Sequence, residues 1–439
     1  MDTRPKGGHD GQVPPGSRSP IFTQTIKPES AFPSRFRARD GIGWPYNAGS
    51  IEAEMSERSG KAAQARATGA GADGAGLVSR FMRAGFHRAD VPVLQPADPF
   101  LELSGEDIRR RLFITSDEEG AELCLRPEFT IPAALDYLKA GVVGRRVDQV
   151  YCGPVFRHRP GESGEFVQVS LESIGRTDRE AADADILAES YHAVAEIAGE
   201  AALAINIGDL GLFSALLEAL AIDAATRRRL ALALGEGRID TLVDPAKMEA
   251  RKAEPRGLAR YSGVLDALKG ADPDEAKAFV KDLLSMAGIT ATGGRTAEDI
   301  AGRFLKRAHE ESQALGSEQA TILRRFLAIT GDPDEVAGAL RALAGEASLD
   351  LGVAIDRFEE RTGFMDARGL PLARMKASAG FARNMDYYSG FVFDIRRSAD
   401  AERPLVGGGR YDRLFERLGR DVPGIGAAIW VDRLNGGAA

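Results

Sequence analysis

Four short stretches of this chain carry side chains able to do chemistry. In Arg126-Pro-Glu-Phe-Thr-Ile-Pro132, Glu128 and Thr130 flank Phe129 in a turn ahead of a helix. Such residues either cap the helix or serve a ligand. The run Tyr151-Cys-Gly-Pro-Val-Phe-Arg-His-Arg-Pro160 ends on Arg157, whose guanidinium can hold a carboxylate or phosphate bidentately, or simply sit on the surface. It continues through Glu172 with Phe166, Gln168, Ser170 and Glu172 at alternate positions. Arg383-Asn-Met-Asp-Tyr-Tyr-Ser-Gly390 packs a cation, a carboxylate and the phenols of Tyr387 and Tyr388 into one turn, as a ligand contact or as an aromatic core with a structural ion pair. Gly407-Gly-Gly-Arg-Tyr-Asp412 reads as a glycine-rich turn before a helix, and a lone glycine run says little about phosphate.

The elements that must position these groups follow from periodicity. Residues 151–172 read as a β-hairpin around a Pro/Gly/Ser-containing loop. Side chains alternate along a strand, so Phe166, Gln168, Ser170 and Glu172 share one face and Val167, Val169 and Leu171 the other. An aromatic, an amide, a hydroxyl and a carboxylate in a row suggest a binding floor. Leu77, Phe81 and Met82 predict a short amphipathic helix ending near Gly85, followed by an extended segment to Pro96 whose prolines suit a sheet edge. Leu112–Thr115 and Ala121–Leu125 are short strands about a charged turn, and a helix runs from Pro132 through Tyr137. Residues 178–197 and 210–220 read as helices around a strand at 201–207. The last strands expected are 377–382, 388–395 and 424–430. The sum is an α+β fold on an antiparallel sheet flanked by helices.

Four regions emerge: an extension over 1–73, a first core part over 74–220, a mainly helical insertion over 221–370, and a second core part over 371–439. The extension lacks periodicity and reads as disordered, with translation expected to start at Met55. Lys247 and Lys252 fall in a charged segment expected to be a solvated helix face. At 439 residues the chain can bury a real core, and its 44% hydrophobic and 28% charged residues are those of an ordinary soluble protein. A formal charge of -8 gives no global pull toward nucleic acid or anionic membrane. Cys124 and Cys152 lack metal-ligand spacing and read as reduced thiols of a cytoplasmic protein, and no apolar run is long enough to span a bilayer. No cofactor or metal is expected.

In their order these pieces resemble the core of histidyl-tRNA synthetase, a class II aminoacyl-tRNA synthetase. Gly85-Phe-His-Arg-Ala-Asp-Val-Pro-Val-Leu94 looks like the dimer-forming first motif of that class. Leu125-Arg-Pro-Glu-Phe-Thr130 looks like the family's Leu-Arg-Pro-Glu-x-Thr element, and Gly153–Pro160 with Gln168 and Glu172 like the second motif. Arg383-Asn-Met-Asp-Tyr-Tyr388 resembles the Arg-x-x-Asp-Tyr-Tyr signature, Gly407–Asp412 its follower, and Gly424–Leu434 the third motif. The resemblance implies a histidine pocket lined by Glu128, Thr130, Gln168, Glu172, Tyr387 and Tyr388. It places Arg157 on the ligand carboxylate or adenylate phosphate, Phe166 on a purine and Arg433 on the triphosphate, and it matches Arg383 to the arginine used in adenylate formation, kept here as a histidine contact or a structural ion pair. Two carboxylates and an amide suit an ammonium and an imidazole N–H.

Three departures redirect the expectation. The sequence ends six residues after Arg433, where the synthetase continues into an anticodon-binding domain of roughly 90–100 residues. The second motif's Arg-x-Glu reads Arg157-His158-Arg159, and arginine has donors only; Glu162 or Glu165 could supply the acceptor after a one-residue shift. The loop is also short. The profile is similar to that of the regulatory subunit of ATP phosphoribosyltransferase. That resemblance implies a non-catalytic dimer that pairs with a short catalytic subunit, responds to L-histidine, lacks an anticodon-binding domain and binds no tRNA. The alternative is a truncated histidyl-tRNA synthetase-like enzyme that activates an amino acid.

Overall fold

The computed structural model describes residues 73–104, 108–244, 315–385 and 387–436. The readings made for residues 1–72, including a start at Met55, and for Lys247 and Lys252 lie outside the described residues. Helix α1 (Gly74–Arg83) is capped by the Asp73 side chain and buries Leu77, Val78 and Phe81. Met82, expected on its apolar face, is half exposed, because it lies one step past Val78 around the helix at the rim of the buried stripe. Strand β1 (His87–Arg88) pairs parallel with β5 (Val147–Phe156) at the edge of the main sheet. Beside it, β2 (Leu94–Pro96), β3 (Ile114–Ser116) and β4 (Glu122–Leu125) form a small antiparallel sheet in the order β2-β4-β3. Of the extended segment's two prolines, Pro92 lies outside both β1 and β2, and Pro96 ends β2, an edge strand of the smaller sheet. Helix α2 (Ala97–Leu103) links β2 to β3, and α3 (Thr130–Lys139) follows β4.

The main sheet has nine strands among the described residues, in the order β1-β5-β6-β12-β11-β10-β7-β9-β8. Its members are β6 (Glu165–Ile174), β7 (Leu203–Asp209), β8 (Thr330–Gly331), β9 (Met375–Ser378), β10 (Phe391–Arg397), β11 (Asp400–Arg410) and β12 (Gly424–Trp430). The run from β5 to β7 is antiparallel, but β1–β5 and β7–β9 pair in parallel, so the sheet is mixed rather than purely antiparallel. The fold class is α+β.

The helices are α4 (Arg179–Ala198), α5 (Leu210–Ala219), α6 (Ala224–Gly235), α7 (Asp240–Val243), α8 (Ser317–Leu327), α9 (Pro333–Glu346), α10 (Gly352–Ala367), α11 (Asp412–Arg417) and α12 (Val431–Leu434). Helices α4 and α10 pack together, and α4 lies on β12 and β11. Val169 and Leu171 point into this core with Ile186, Leu187, Phe358 and Phe393. Phe166 points the other way, into a second apolar cluster with Phe129, Tyr151 and Trp430. The period of two therefore divides β6 between the core and the opposite face. The described parts of 221–370 are helical apart from β8, and the side chains of α8, α9 and α10 belong to the principal core. Among the described residues no helix is long and apolar enough to cross a membrane.

Gly407-Gly408-Gly409 is not the expected turn. It lies inside β11, paired with β10 on one side and β12 on the other. The reason is close approach. A Cβ on Gly407 would meet the Arg383 guanidinium at 2.0 Å, one on Gly408 the Phe393 ring at 2.5 Å, and one on Gly409 the Tyr388 ring at 2.9 Å. Helix α11 then begins at Asp412, as the sequence indicates.

Candidate functional site

A cavity of about 260 Å³ lies on the sheet face opposite α4, between β6, β11, β12, the hairpin loop and the segment from Arg383 to Tyr388. Strand register builds its floor. Gln168 stands opposite Gly153 on β5 and Trp430 on β12, and Glu172 stands opposite Gly426. Glycine is required at 426, because a Cβ there would lie 2.1 Å from the Glu172 carboxylate.

The acidic side of the site is a hydrogen-bonded chain. Glu128 is 3% exposed and accepts from the backbone N–H groups of Thr130 at 2.6 Å and Ile131 at 2.9 Å, at the start of α3. The capping and pocket readings of Glu128 thus coexist, since the same side chain also lines the cavity. Burial raises its carboxyl above the ordinary value, while the helix N–H groups and Arg157 act in the opposite direction. The Thr130 hydroxyl donates to Glu172 at 2.8 Å, and Tyr411 donates to the other Glu172 oxygen at 2.6 Å. Burial pushes Glu172 up to about 8 against the pull of those two donors. Tyr411 is raised well above its usual value by burial, with Glu172 adding to it, and so remains the donor.

The basic side is built from arginines. Arg111, Arg157, Arg159, Arg383 and Arg433 all line the cavity. Arg157 pairs with no carboxylate among the described residues; burial lowers its guanidinium to about 10, with Glu128 the leading opposing influence. Arg383 lies across Gly407 and 3.8 Å from Asp394, and its Nε has no hydrogen-bond partner among the described residues. Gln168 donates to Ser170 at 2.8 Å, which leaves its buried Oε1 without a partner among the described residues. A buried acceptor left open costs stability in the empty protein and is recovered by a ligand donor. Charge is thus laid out for a small zwitterion, with arginines for a carboxylate and Glu128 with Gln168 for an ammonium or ring N–H.

The fold gathers most of the residues singled out from sequence. Glu128, Thr130, Arg157, Gln168, Arg383, Tyr387, Tyr388 and Arg433 line the cavity. Glu172 and Phe166 do not reach its wall: Glu172 lies one layer below, behind Thr130 and Tyr411, and Phe166 lies behind Arg159. Glu162, considered as a substitute acceptor, is paired with Arg159 and Arg433, and Glu165 is exposed. Asp386 lies outside the described residues. Sequence reasoning passed over Arg111, Asn384, Met385, Tyr411 and Trp430 as lining residues. Tyr411 had a signal, because it directly follows the strand whose glycines make room for the pocket side chains. The thiols take no part: burial pushes Cys124 up to about 12, and both cysteines are unpaired.

The family model described as histidyl-tRNA synthetase matches residues 74–292 and 276–434. An ATP phosphoribosyltransferase regulatory subunit from Mesorhizobium japonicum is 39% identical over 82% of this chain and 95% of its own length. One from Chelativorans sp. is 38% identical over 79% and 91%. Among solved structures, an ATP phosphoribosyltransferase regulatory subunit/histidyl-tRNA synthetase from Bacillus halodurans C superimposes with a TM-score of 0.57 at 20% identity, covering 82% of this chain and 76% of the other. A histidyl-tRNA synthetase from Nostoc sp. gives 0.54 at 17% identity, covering 82% and 68%. The two structures share the fold; the identity and mutual coverage of the sequence relatives carry the finer assignment. With the synthetase-like sheet and its cavity in place, this chain belongs to the family of ATP phosphoribosyltransferase regulatory subunits.

Proposed function

We propose that this chain is a non-catalytic cytoplasmic subunit that switches on a short-form catalytic ATP phosphoribosyltransferase chain, in the first step of L-histidine biosynthesis, and relays feedback inhibition by L-histidine. Its relatives support the regulatory role. The observation that carries the effector assignment is that one small cavity brings together Glu128, Arg157, which has no carboxylate ion pair among the described residues, and the Gln168 Oε1, which has no hydrogen-bond partner among them. Histidine offers a carboxylate, an ammonium and a ring N–H, one complement for each group. Inhibition requires that histidine favour one arrangement of the complex over another, because a ligand that binds two states equally shifts neither.

The chain acts as a dimer without tRNA or a bound cofactor. The small sheet supports self-association: β2 and β3 are both edge strands, and Val93, Leu94 and Ile114 stand 37%, 46% and 47% exposed there. The test is reconstitution with the short catalytic chain of the same genome. Phosphoribosyl transfer should require both chains and fall when histidine is added. A catalytic chain equally active alone would remove the regulatory role. Histidine-dependent exchange of pyrophosphate into ATP by this chain by itself would favour the amino-acid-activating alternative.

A further inference from the structure

The hairpin loop lays a guanidinium on the ring of Phe166. The Arg159 Cζ lies 3.8 Å from the ring centroid, which is stacking contact. Each of its nitrogens faces a partner, Nη1 as an ion pair that lacks hydrogen-bond geometry. Nε donates to the Ser163 carbonyl at 2.9 Å, Nη1 lies 2.6 Å from the Glu162 carboxylate, and Nη2 lies 3.6 Å from Asp432. Glu162 is shared with Arg433 at 3.2 Å, and the Arg433 guanidinium lies 5.0 Å over the Trp430 ring. The Arg159 side chain is only 10% exposed, and Phe166 behind it 4%. The hairpin loop and the first residues of α12 together close this end of the cavity.

The rest of the cavity points the other way. Arg111, Arg157, Arg383 and Arg433 would draw a phosphorylated anion, and a nucleotide would need a ring face on which to stack its base. The ring face offered by the hairpin is already taken. We propose that Arg159 sets the specificity of this cavity: it occupies the Phe166 face as an internal substitute for a planar ligand, so that the site admits a small amino acid and shuts out purine nucleotides. The inference rests on the reading above for the ligand admitted, but not for the one excluded.

The full chain, wild type and Arg159→Ala, is titrated calorimetrically with ATP and separately with histidine. Wild type takes histidine and binds ATP only weakly, whereas Arg159→Ala gains ATP affinity by roughly tenfold or more, the gain expected when a desolvated cation–π stack no longer has to be displaced. Glu162→Ala frees Arg159 and Arg433 while keeping both cations, and gains ATP affinity in the same direction. That second variant covers the case in which Arg159→Ala folds poorly. ATP binding by wild type as tight as by the variants, or affinity unchanged or weakened in both, overturns the proposal. Loss of cationic charge alone would give the weakened result. Wild type that fails to bind histidine, with the ATP gain intact, sinks the amino-acid reading and leaves the role of Arg159 standing.

Discussion

Replacing Glu172 by glutamine removes a pH-dependent cost from the folded protein. Glu172 is 1% exposed, and burial lifts it from an ordinary 4.5 to about 8. An acid with a raised folded pKa holds its proton in the folded state after the unfolded chain has lost it. Stability is therefore fully present below about pH 4.5, falls as pH rises, and levels off above about 8. Each unit of that interval is worth about 1.4 kcal/mol, so the full cost is roughly 3–5 kcal/mol. Glutamine has no such proton to lose. It keeps one acceptor for the Thr130 and Tyr411 hydroxyls and gives up about 1 kcal/mol of hydrogen bonding at low pH. In urea titrations, Glu172→Gln should be slightly less stable than wild type near pH 5. It should overtake wild type as pH rises, with the difference moving by roughly 4 kcal/mol by pH 8.5. Parallel pH profiles for the two proteins would refute the argument, because they would mean that Glu172 ionises freely where it sits.

Other consequences are as direct. Asp183 is fully buried on α4 and accepts from Arg361 Nε at 2.9 Å and from Arg410 Nη2 at 2.6 Å, so Asp183→Ala should cost about 3–5 kcal/mol in chemical denaturation. A cost below about 1 kcal/mol would show that water or another carboxylate replaces it. Gly426→Ala forces a methyl to within 2.1 Å of Glu172 and 2.8 Å of the Leu171 carbonyl. It should lose about 1–3 kcal/mol of stability and weaken histidine binding in calorimetry, whereas a variant with both intact would discount the packed floor. If the proposed dimer forms through the small sheet, Leu94→Asp should convert it to monomers in sedimentation equilibrium; an unchanged dimer would move the interface away from that sheet.

Much of the site was legible because strand periodicity is local. Gln168 and Phe166 could be placed on one face of β6 from their spacing, and both lie on the face away from α4. Glu172 shares that alternation, yet its depth depends on Gly426, Tyr411 and Thr130, which arrive from three other elements. The glycine strand was misread for a similar reason. Glycine has little strand preference of its own, and the side chains that require it at 407–409 come from Arg383, Tyr388 and Phe393. Arg361 in the helical region gave no sign of burial, because a lone arginine on a helix is ordinarily solvated. Its partners Asp183 and Asp209 lie more than 150 residues away in sequence. Arg159 was visible as a departure from a motif, but its stack on Phe166 required the folded loop.

If histidine controls the complex through this cavity, the histidine inhibition curve of the complex reconstituted with Glu128→Ala must move. Glu128 lines the cavity and is buried, so its loss should raise the inhibitory histidine concentration by roughly tenfold, about 1–3 kcal/mol of a charged hydrogen bond, while the uninhibited complex still assembles. An inhibition curve that superimposes on wild type would place the effector site elsewhere.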